Sequence, residues 1–253
     1  MAYLVIYTRT RTRYPESTLA RLFRAATHLI SLLVYIPLQI LFIPLAVLGS
    51  IYVGYCQIVL SKKLGVSMTA IEILNGRWSM HIFDIRPDHA CEKLAKVLPN
   101  TSVNGLWLAL APLWLKFKIS GELFLYPRIP DQGHEDLRDL VVSRTLYFDH
   151  VIDRVIDDVE QFVLMGAGYD TRAYGGLSTK DLAIFEMDQV AEQDHKIKGL
   201  AAAGIGFEHV NFVPVDFSKD DAFAKLTSTG FDRTKKPVSL GRRDFVFIRS
   251  RSA

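Results

Sequence analysis

The sequence predicts an α/β fold, in which a parallel sheet with crossover connections follows an α-helical membrane-anchoring region. Residues 29–60 contain no Asp, Glu, Lys, Arg or His, which predicts one long apolar segment. In the C-terminal half, short apolar runs lie at 162–165, 182–187 and 210–215, with a helical stretch at 189–203. A glycine turn follows the first run. The order strand, turn, strand, helix, strand is typical of a parallel sheet with crossovers.

Length and composition limit the classes of protein that the chain can belong to. Its 253 residues suffice for one α/β domain, or for a smaller domain with an appendage. The residues are 49% hydrophobic and the mean hydropathy is +0.16, which directs attention to a membrane segment. The net charge of +3 is small, so we expect no nucleic-acid partner. Cys56 and Cys91 lie far apart and predict neither a disulfide framework nor a zinc site.

The uncharged segment 29–60 is long enough to cross a bilayer, which needs about 20 apolar residues in a helix. It lies too deep in the chain for a secretory signal peptide, and no small-residue cleavage site closes it. A buried core helix is the alternative, but such helices seldom stay uncharged over this length. We therefore predict a basic segment at 1–28, a transmembrane or re-entrant segment at 29–60 and a connecting region at 61–134.

Charged and helix-breaking residues suggest a topology for this segment. Arginines precede it and two lysines follow it, so the positive-inside rule places the N-terminus in the cytosol. Pro37, Pro44 and Gly49 could bend the segment into a re-entrant hairpin. Alternatively, the apolar patch at 104–118, with its tryptophans and lysines, suits a helix lying in the membrane interface. We expect a membrane-localised protein that contacts lipid and whose C-terminal half faces the cytosol.

The connecting region contains one cluster of potential metal ligands. Residues 81–91, HIFDIRPDHAC, bring together two histidines, two aspartates and a cysteine. Their spacing fits no standard zinc or facial-triad pattern, so we expect a solvated loop or helix surface and no metal site. Prolines and a glycine at 126–136 predict a linker. Apolar residues at helical spacing over 135–157 then predict one long amphipathic helix.

The glycine turn carries the main functional prediction. A strand that ends in Gly166, Ala167 and Gly168 at the carboxyl edge of a parallel sheet lets a ligand approach the backbone closely. The dinucleotide fingerprint requires a third glycine where this chain has Thr171. Thr171 therefore disfavours a nicotinamide-dependent oxidoreductase. A nucleoside cofactor without a pyrophosphate, such as S-adenosyl-L-methionine, does not need that glycine.

Acidic residues at the strand ends agree with a nucleoside cofactor. Glu186 and Asp188 end the second apolar run about 20 residues after the glycines, where a carboxylate can accept the ribose hydroxyls. Capping of the helix that begins at Gln189 is the structural alternative. Asp216 follows the third run at the same edge and could meet the adenine amino group.

Four motifs occur in order along this half of the chain. They are SRTLYFDHVI at 143–152, VLMGAGYDTRAY at 163–174, IFEMDQ at 184–189 and FVPVDF at 212–217. Together they resemble the leucine carboxyl methyltransferase family, over residues 135–236. The resemblance implies a class I methyltransferase fold, a Rossmann-like parallel sheet flanked by helices, with S-adenosyl-L-methionine as cofactor.

The resemblance also implies roles for individual residues. By position, Arg144 would bind the methionine carboxylate of the cofactor and Asp188 would hold the ribose. Gly166 and Gly168 would line the cofactor with backbone. Asp216 with Phe217 would frame the adenine.

The resemblance stops after Pro237. Residues 238–253 read as a divergent, arginine-rich tail, in which 244–250 could add one short strand. We therefore expect an incomplete methyltransferase-like domain at 135–237, as in a fragment of a longer enzyme, with weak cofactor binding or none.

These predictions favour a membrane-associated methyltransferase that O-methylates a small-molecule or protein carboxylate, or a similar small nucleophile. The sulfonium of the cofactor is already activated, so the protein mainly aligns donor and acceptor. A carboxylate acceptor needs no deprotonation, and no catalytic acid–base residue is predicted. The alternative is a non-catalytic membrane protein whose degenerate methyltransferase-like domain serves as an interaction module.

Overall fold

The computed structural model describes residues 17–130, 134, 136, 139–241 and 246–248. The helices are α1 (Thr18–Tyr55), α2 (Ser61–Leu64), α3 (Met68–Ile82), α4 (His89–Val97), α5 (Val103–Ser120), α6 (Leu140–Val155), α7 (Val190–Ala202) and α8 (Ala222–Ser228). The strands are β1 (Gln161–Met165), β2 (Ala183–Asp188), β3 (Val210–Pro214), β4 (Pro237–Gly241) and β5 (Val246–Ile248).

One sheet with the strand order β3-β2-β1-β4-β5 forms the C-terminal half. The first four strands run parallel, and β5 pairs antiparallel with β4. Phe162, Val163 and Leu164 of the central strand are all buried, because helices cover both faces of the sheet. Phe162 and Leu164 pack against α6, whereas Val163 packs on the side of α8. The predicted α/β fold with a parallel sheet is confirmed.

The sheet continues beyond the point where the sequence motifs end. Strand β4 crosses the boundary predicted at 237 because its residues pair with the central strand, Val238 opposite Phe162 and Leu240 opposite Leu164. The short strand predicted within 244–250 corresponds to β5. The apolar runs that form β4 and β5 are too short to be distinguished from an irregular tail by sequence pattern alone.

The amphipathic helix predicted over 135–157 is shorter in the structure. Helix α6 begins after Asp139 and is followed by a 3₁₀ turn, Ile156–Asp158. The Nε of Arg128 donates to Asp139 at 2.9 Å, which holds the helix start against the preceding chain. Part of the predicted linker and the first turn of the predicted helix, at 131–133, 135 and 137–138, lies outside the described residues.

The apolar segment forms one continuous helix, in which a π-helical turn, Cys56–Leu60, joins α1 to α2. Thr18–Leu64 is the helical stretch among the described residues that is long and apolar enough to cross a membrane. Pro37 and Pro44 lie inside α1 without ending it, so the predicted re-entrant hairpin is wrong. Both prolines lie on the exposed side of the helix, where the ring does not disturb packing against the protein.

Helix α5 pairs with α1 through a close contact of two glycines. A Cβ on Gly49 would lie 2.6 Å from the carbonyl oxygen of Gly105, so only glycine lets the backbones approach this closely. The side chains that suggested an interfacial helix at 104–118 contact protein instead. The indole Nε1 of Trp114 donates to the carbonyl of Ile82 at 3.0 Å. Lys116 is buried and donates to the carbonyl of Glu122.

We expect Gly49→Ala to lower the free energy of unfolding by about 1–3 kcal/mol, because the added methyl group overlaps the α5 backbone. Gly54→Ala is the matched control, since a Cβ there meets no atom within 4 Å. It should be neutral, or stabilising by about 0.5–1 kcal/mol, as alanine favours a helix interior. Urea unfolding in mild detergent, followed by circular dichroism, measures both. Equal effects of the two substitutions would contradict the close contact.

Candidate functional site

The glycine turn is fixed by hydrogen bonds to the end of the neighbouring strand. Gly166 and Gly168 have positive φ angles of 67° and 48°, which glycine adopts without strain. The N–H groups of Gly166 and Ala167 donate to the carbonyl of Met187 at 2.8 and 3.1 Å. The N–H of Gly168 donates to Oδ2 of Asp188 at 2.6 Å. The turn therefore leaves β1 and folds directly over the tip of β2.

A pocket of about 220 Å³ opens at the carboxyl ends of β1, β2 and β4. This edge of a parallel sheet is where ligands bind in open α/β folds. The pocket brings together four of the residues predicted for a cofactor site, Arg144, Gly166, Gly168 and Asp188. Helices α3 and α6 form its other walls.

Two predicted residues on the pocket wall have defined partners. The guanidinium carbon of Arg144 lies 5.4 Å above the ring of Phe148, one turn along α6. Oδ1 of Asp188 accepts from the N–H of Gln189 at 2.8 Å, while Oδ2 accepts from the glycine turn. Asp188 therefore orders both the turn and the entry to α7. A carboxylate oxygen accepts more than one hydrogen bond, so these contacts leave acceptor sites directed at the pocket.

Glu186 does not lie at the pocket, which corrects its assignment as a cofactor ligand. Its carboxylate is buried under α7, where Oε2 lies 2.6 Å from the Nζ of Lys196. Lys196 also donates to the carbonyl of Asp170 at 2.8 Å. Burial raises the pKa of Glu186, and the charge of Lys196 opposes that shift. Glu186 lies two residues before the end of β2, on the same face as Asp188. Helix α7 covers Glu186, whereas Asp188 lies at the strand end beyond that helix.

Asp216 and Phe217 also lie away from the pocket walls among the described residues. Oδ1 of Asp216 accepts from the hydroxyl of Ser218 at 2.6 Å and from its N–H at 3.0 Å. These hydrogen bonds and the nearby Lys219 lower the pKa of Asp216 to about 2. Phe217 is exposed. The turn after β3 is thus held by its own hydrogen bonds, and the N–H of the preceding Val215 donates to the carbonyl of Asp188 at 2.8 Å, which places this turn beside the tip of β2.

The residues that follow the glycine turn form a buried network that sequence reasoning missed. Asp170 accepts from Arg77 of α3 at 2.7 Å and pairs with Arg172. Arg172 also donates through Nε to Asp149 of α6 at 2.7 Å. Burial acts to raise the pKa of Asp170, but the charges of Arg172 and Arg77 outweigh it and hold the pKa well below its usual range. The charged sequence Asp170-Thr171-Arg172, directly after the turn, was the feature of the sequence that could have predicted this network.

A second part of this network joins the loop before α4. Arg86 pairs with both Asp149 and Asp88. The hydroxyl of Thr171 donates to Asp88 at 2.6 Å. Burial acts to raise the pKa values of Asp88 and Asp149, and nearby arginines lower both below 3.8. Thr171, the residue that replaces the third fingerprint glycine, therefore ties the turn to the N-terminal helices.

Helix α3 contributes pocket residues from the predicted connecting region. Ser67, Thr69, Ala70 and Arg77 line the cavity. The N–H of Ser67 donates to Glu192 of α7 at 2.8 Å, which joins the helix start to the sheet side of the pocket. The isolated arginine within the apolar α3 was the sequence signal, but its partner lies 93 residues away.

The segment 81–91 is partly exposed, as predicted, at Asp84 and His89, but part of it is more buried than a solvated surface. Asp88 and Cys91 are buried, and Asp88 caps α4 by accepting from the N–H of Cys91. Ligand atoms of His81, His89 and Glu92 lie within 4.8 Å of one another. However, Nδ1 of His81 accepts from the N–H of Asp88, and Nε2 lies 3.3 Å from Glu92. A neutral ring in this arrangement carries its proton on Nε2, which leaves no lone pair for a metal.

Comparisons with known proteins agree with the motifs. Residues 120–241 match the family model described as "Leucine carboxyl methyltransferase". The "Putative S-adenosyl-L-methionine-dependent methyltransferase YktD" of Bacillus subtilis (strain 168) is 31% identical over 115 residues, which cover 44% of this chain and 38% of that protein. Proteins with the same descriptive name come from Mycobacterium sp. (strain KMS) and Mycobacterium bovis (strain BCG / Pasteur 1173P2). They are 35% identical over 112 residues and 29% over 151, covering 44% and 59% of this chain.

The matched segments correspond to 38%, 36% and 46% of the lengths of these three proteins. The chain thus spans less than half the length of the curated relatives it matches.

The buried network predicts a loss of stability in acid. Groups whose folded-state pKa is depressed stabilise the protein above their unfolded value of 3.8 and lose that contribution as the pH falls through the folded value. The free energy of unfolding should therefore fall steeply below about pH 4. Asp149→Asn should flatten this dependence and lower stability at neutral pH by about 3 kcal/mol, because the arginines lose a buried partner.

Asp157→Asn is the matched control, since Asp157 is exposed and pairs with an exposed lysine. It should leave the pH dependence unchanged. Urea unfolding at a series of pH values measures all three proteins. A pH dependence that is the same in all of them would show that the network does not control acid stability.

Proposed function

We propose that the protein is a membrane-associated S-adenosyl-L-methionine-dependent methyltransferase, because residues 120–241 match the leucine carboxyl methyltransferase family model. The glycine-turn pocket would hold the cofactor, and the acceptor would be a carboxylate or a similar small nucleophile. One observation carries the proposal. Backbone of the glycine turn and the Asp188 carboxylate meet at the carboxyl edge of the sheet, on the wall of one cavity.

The residues around the cavity suit the parts of such a cofactor. A Cβ on Gly168 would lie 3.1 Å from the Cβ of Ala70. A side chain at this position would therefore crowd α3, and glycine keeps the space between the turn and α3 open. Asp188 would accept from ribose hydroxyls, and Arg144 would bind the carboxylate of the methionine part. Arg144 and Asp188 supply opposite charges to one cavity, as an amino-acid nucleoside requires. Gly166 and Gly168 would let its adenosyl part approach the backbone.

When bound, the cofactor would supply an activated methyl group on a sulfonium. The protein then acts mainly by orienting the acceptor and by excluding water. A carboxylate acceptor carries no proton that has to be removed at neutral pH, so no general base is required. This explains how the pocket could work although its buried carboxylate, Asp170, is paired with arginines and cannot serve as a base.

A non-catalytic interaction module is the second candidate. One observation favours it: the carboxylate of Asp216, expected to meet the adenine, is engaged by Ser218 and Lys219 of its own turn. A domain that cannot enclose the adenine would bind the cofactor weakly. The following binding experiment separates the two candidates.

We expect S-adenosyl-L-methionine to bind the chain and Asp188→Ala to weaken its binding by at least about tenfold, because hydrogen bonds from a charged group to the ligand are lost. Asp216→Asn is the matched control, a carboxylate at the neighbouring strand end, and should change the dissociation constant by less than about twofold. Isothermal titration calorimetry measures both, with thermal unfolding as a check on folding. Failure of the unmodified chain to bind would support the non-catalytic module.

We also expect methyl transfer to yield a base-labile product. Methyl esters of carboxylates hydrolyse in mild alkali and release volatile methanol, whereas methyl groups on nitrogen or carbon stay attached. Incubation of the chain with methyl-labelled cofactor and a membrane extract, followed by alkali and vapour-phase counting, measures this. A stable labelled product would retain the methyltransferase and exclude the carboxylate acceptor.

The membrane part of the proposal rests on the long apolar helix α1. We propose a membrane localisation in which the methyltransferase-like half faces the cytosol, where the cofactor is made. Basic residues lie both before and after the apolar segment, so a helix attached to one leaflet would keep both of its ends and the domain on the cytosolic side.

A further inference from the structure

The outer side of α1 exposes a wide apolar surface. Residues 29–60 carry no charged side chain. Leu33, Ile40 and Ile51 point away from the protein and are 66%, 64% and 65% exposed. The opposite side, with Ser31, Tyr35 and Gly49, is buried against the rest of the chain. Exposed apolar surface of this extent marks an interaction site rather than an ordinary protein surface.

Helix α1 lies along the body of the protein instead of projecting from it. Gly49 contacts Gly105 near the start of α5, and Arg24 lies 3.8 Å from Glu122, just after the end of α5. The two helices therefore run antiparallel from Arg24 to Gly49, which includes most of the apolar segment. Tyr35, in the middle of α1, also packs in one apolar cluster with Met80 and Phe83.

Helix α5 in turn packs against α3, which lines the proposed cofactor pocket. The rings of Trp107 and Trp78 are 5.4 Å apart, and Trp114 donates to the α3 carbonyl of Ile82. The order of layers is α1, α5, α3 and then the sheet domain. A membrane-crossing α1 would bring the helices packed against it into the bilayer together with their polar groups, and charged groups in the hydrocarbon core are costly.

We propose that α1 lies in the plane of the membrane, with its outer face in the acyl-chain boundary, and that the chain attaches to one leaflet. Amphipathic helices bind in this way with one face buried about 5–10 Å below the headgroups. Arg21 and Arg24 before the apolar face, and Lys62 and Lys63 after it, are exposed or partly exposed at its two ends. These charges suit anionic headgroups. The inference rests on the membrane part of the proposed function and is independent of the methyl-transfer part.

Flotation with vesicles tests the surface. The full chain should float with vesicles of phosphatidylcholine and phosphatidylserine, and Ile40→Asp should reduce the bound fraction at least about fivefold, since a carboxylate in the acyl boundary is costly. Val190→Asp is the matched control, an apolar residue of similar exposure on α7, and should bind as the unmodified chain does. The proposal would be overturned if the unmodified chain did not bind, or if both variants bound as well as the unmodified chain.

Spin labels on introduced cysteines distinguish an in-plane helix from a spanning one. Leu33→Cys, Ile40→Cys and Ile51→Cys cover 18 positions of α1, about 27 Å of helix. The native thiols of Cys56 and Cys91 are buried and stay unlabelled in the folded protein. An in-plane helix predicts the same shallow depth for all three labels, from accessibility to oxygen and to a polar nickel complex.

A depth that increases from Leu33 to Ile40 and differs at Ile51 would indicate a spanning helix and overturn the in-plane arrangement. Labels that contact each other between chains, with a doubled mass in sedimentation, would show that the face pairs with a second copy instead. Cofactor binding is measured on the same samples, so loss of methyltransferase function is recognised separately from loss of membrane attachment.

Discussion

The carboxylate of Asp170 ties the glycine turn to helices on the other side of the pocket. It is buried and shared by Arg77 of α3 and Arg172 of the turn itself. Removing either arginine would leave the buried carboxylate with one partner instead of two, which is more costly than losing an exposed ion pair. Through this interaction the turn geometry, the position of α3 and the shape of the pocket depend on one another.

The same network connects the two halves of the chain. Asp149 of α6 is held by Arg172 and Arg86, and Asp88 is held by Arg86 and Thr171. These side chains, together with Arg77 and Asp170, therefore form one polar cluster between the N-terminal helices and the sheet. Helix α3 lies in the centre of this arrangement, with the pocket on one side and α5 on the other. An attachment of α1 to a bilayer would thus place the pocket a fixed distance from the membrane surface.

Local sequence patterns predicted the elements of the sheet well. The runs at 162–165, 182–187 and 210–215 correspond to β1, β2 and β3 with shifts of one residue, because period and β-branched or aromatic content are local properties. The hairpin expected at Pro37 and Pro44 was wrong because a proline inside a helix removes one backbone hydrogen bond and can kink the helix without ending it. Helix α1 carries both prolines on its open side.

By itself, the sequence determined the α/β class, the glycine turn, the uncharged apolar helix and the family resemblance, since each depends on residues close together in the chain. Tertiary structure decided which candidate residues reach the pocket. Glu186 and Asp188 end the same apolar run in the sequence, but α7 covers Glu186 with Lys196 while Asp188 contacts the glycine turn. It also decided that Arg77 finds Asp170 and that α1 lies along the domain, because these contacts join residues far apart in the chain and depend on how whole helices pack.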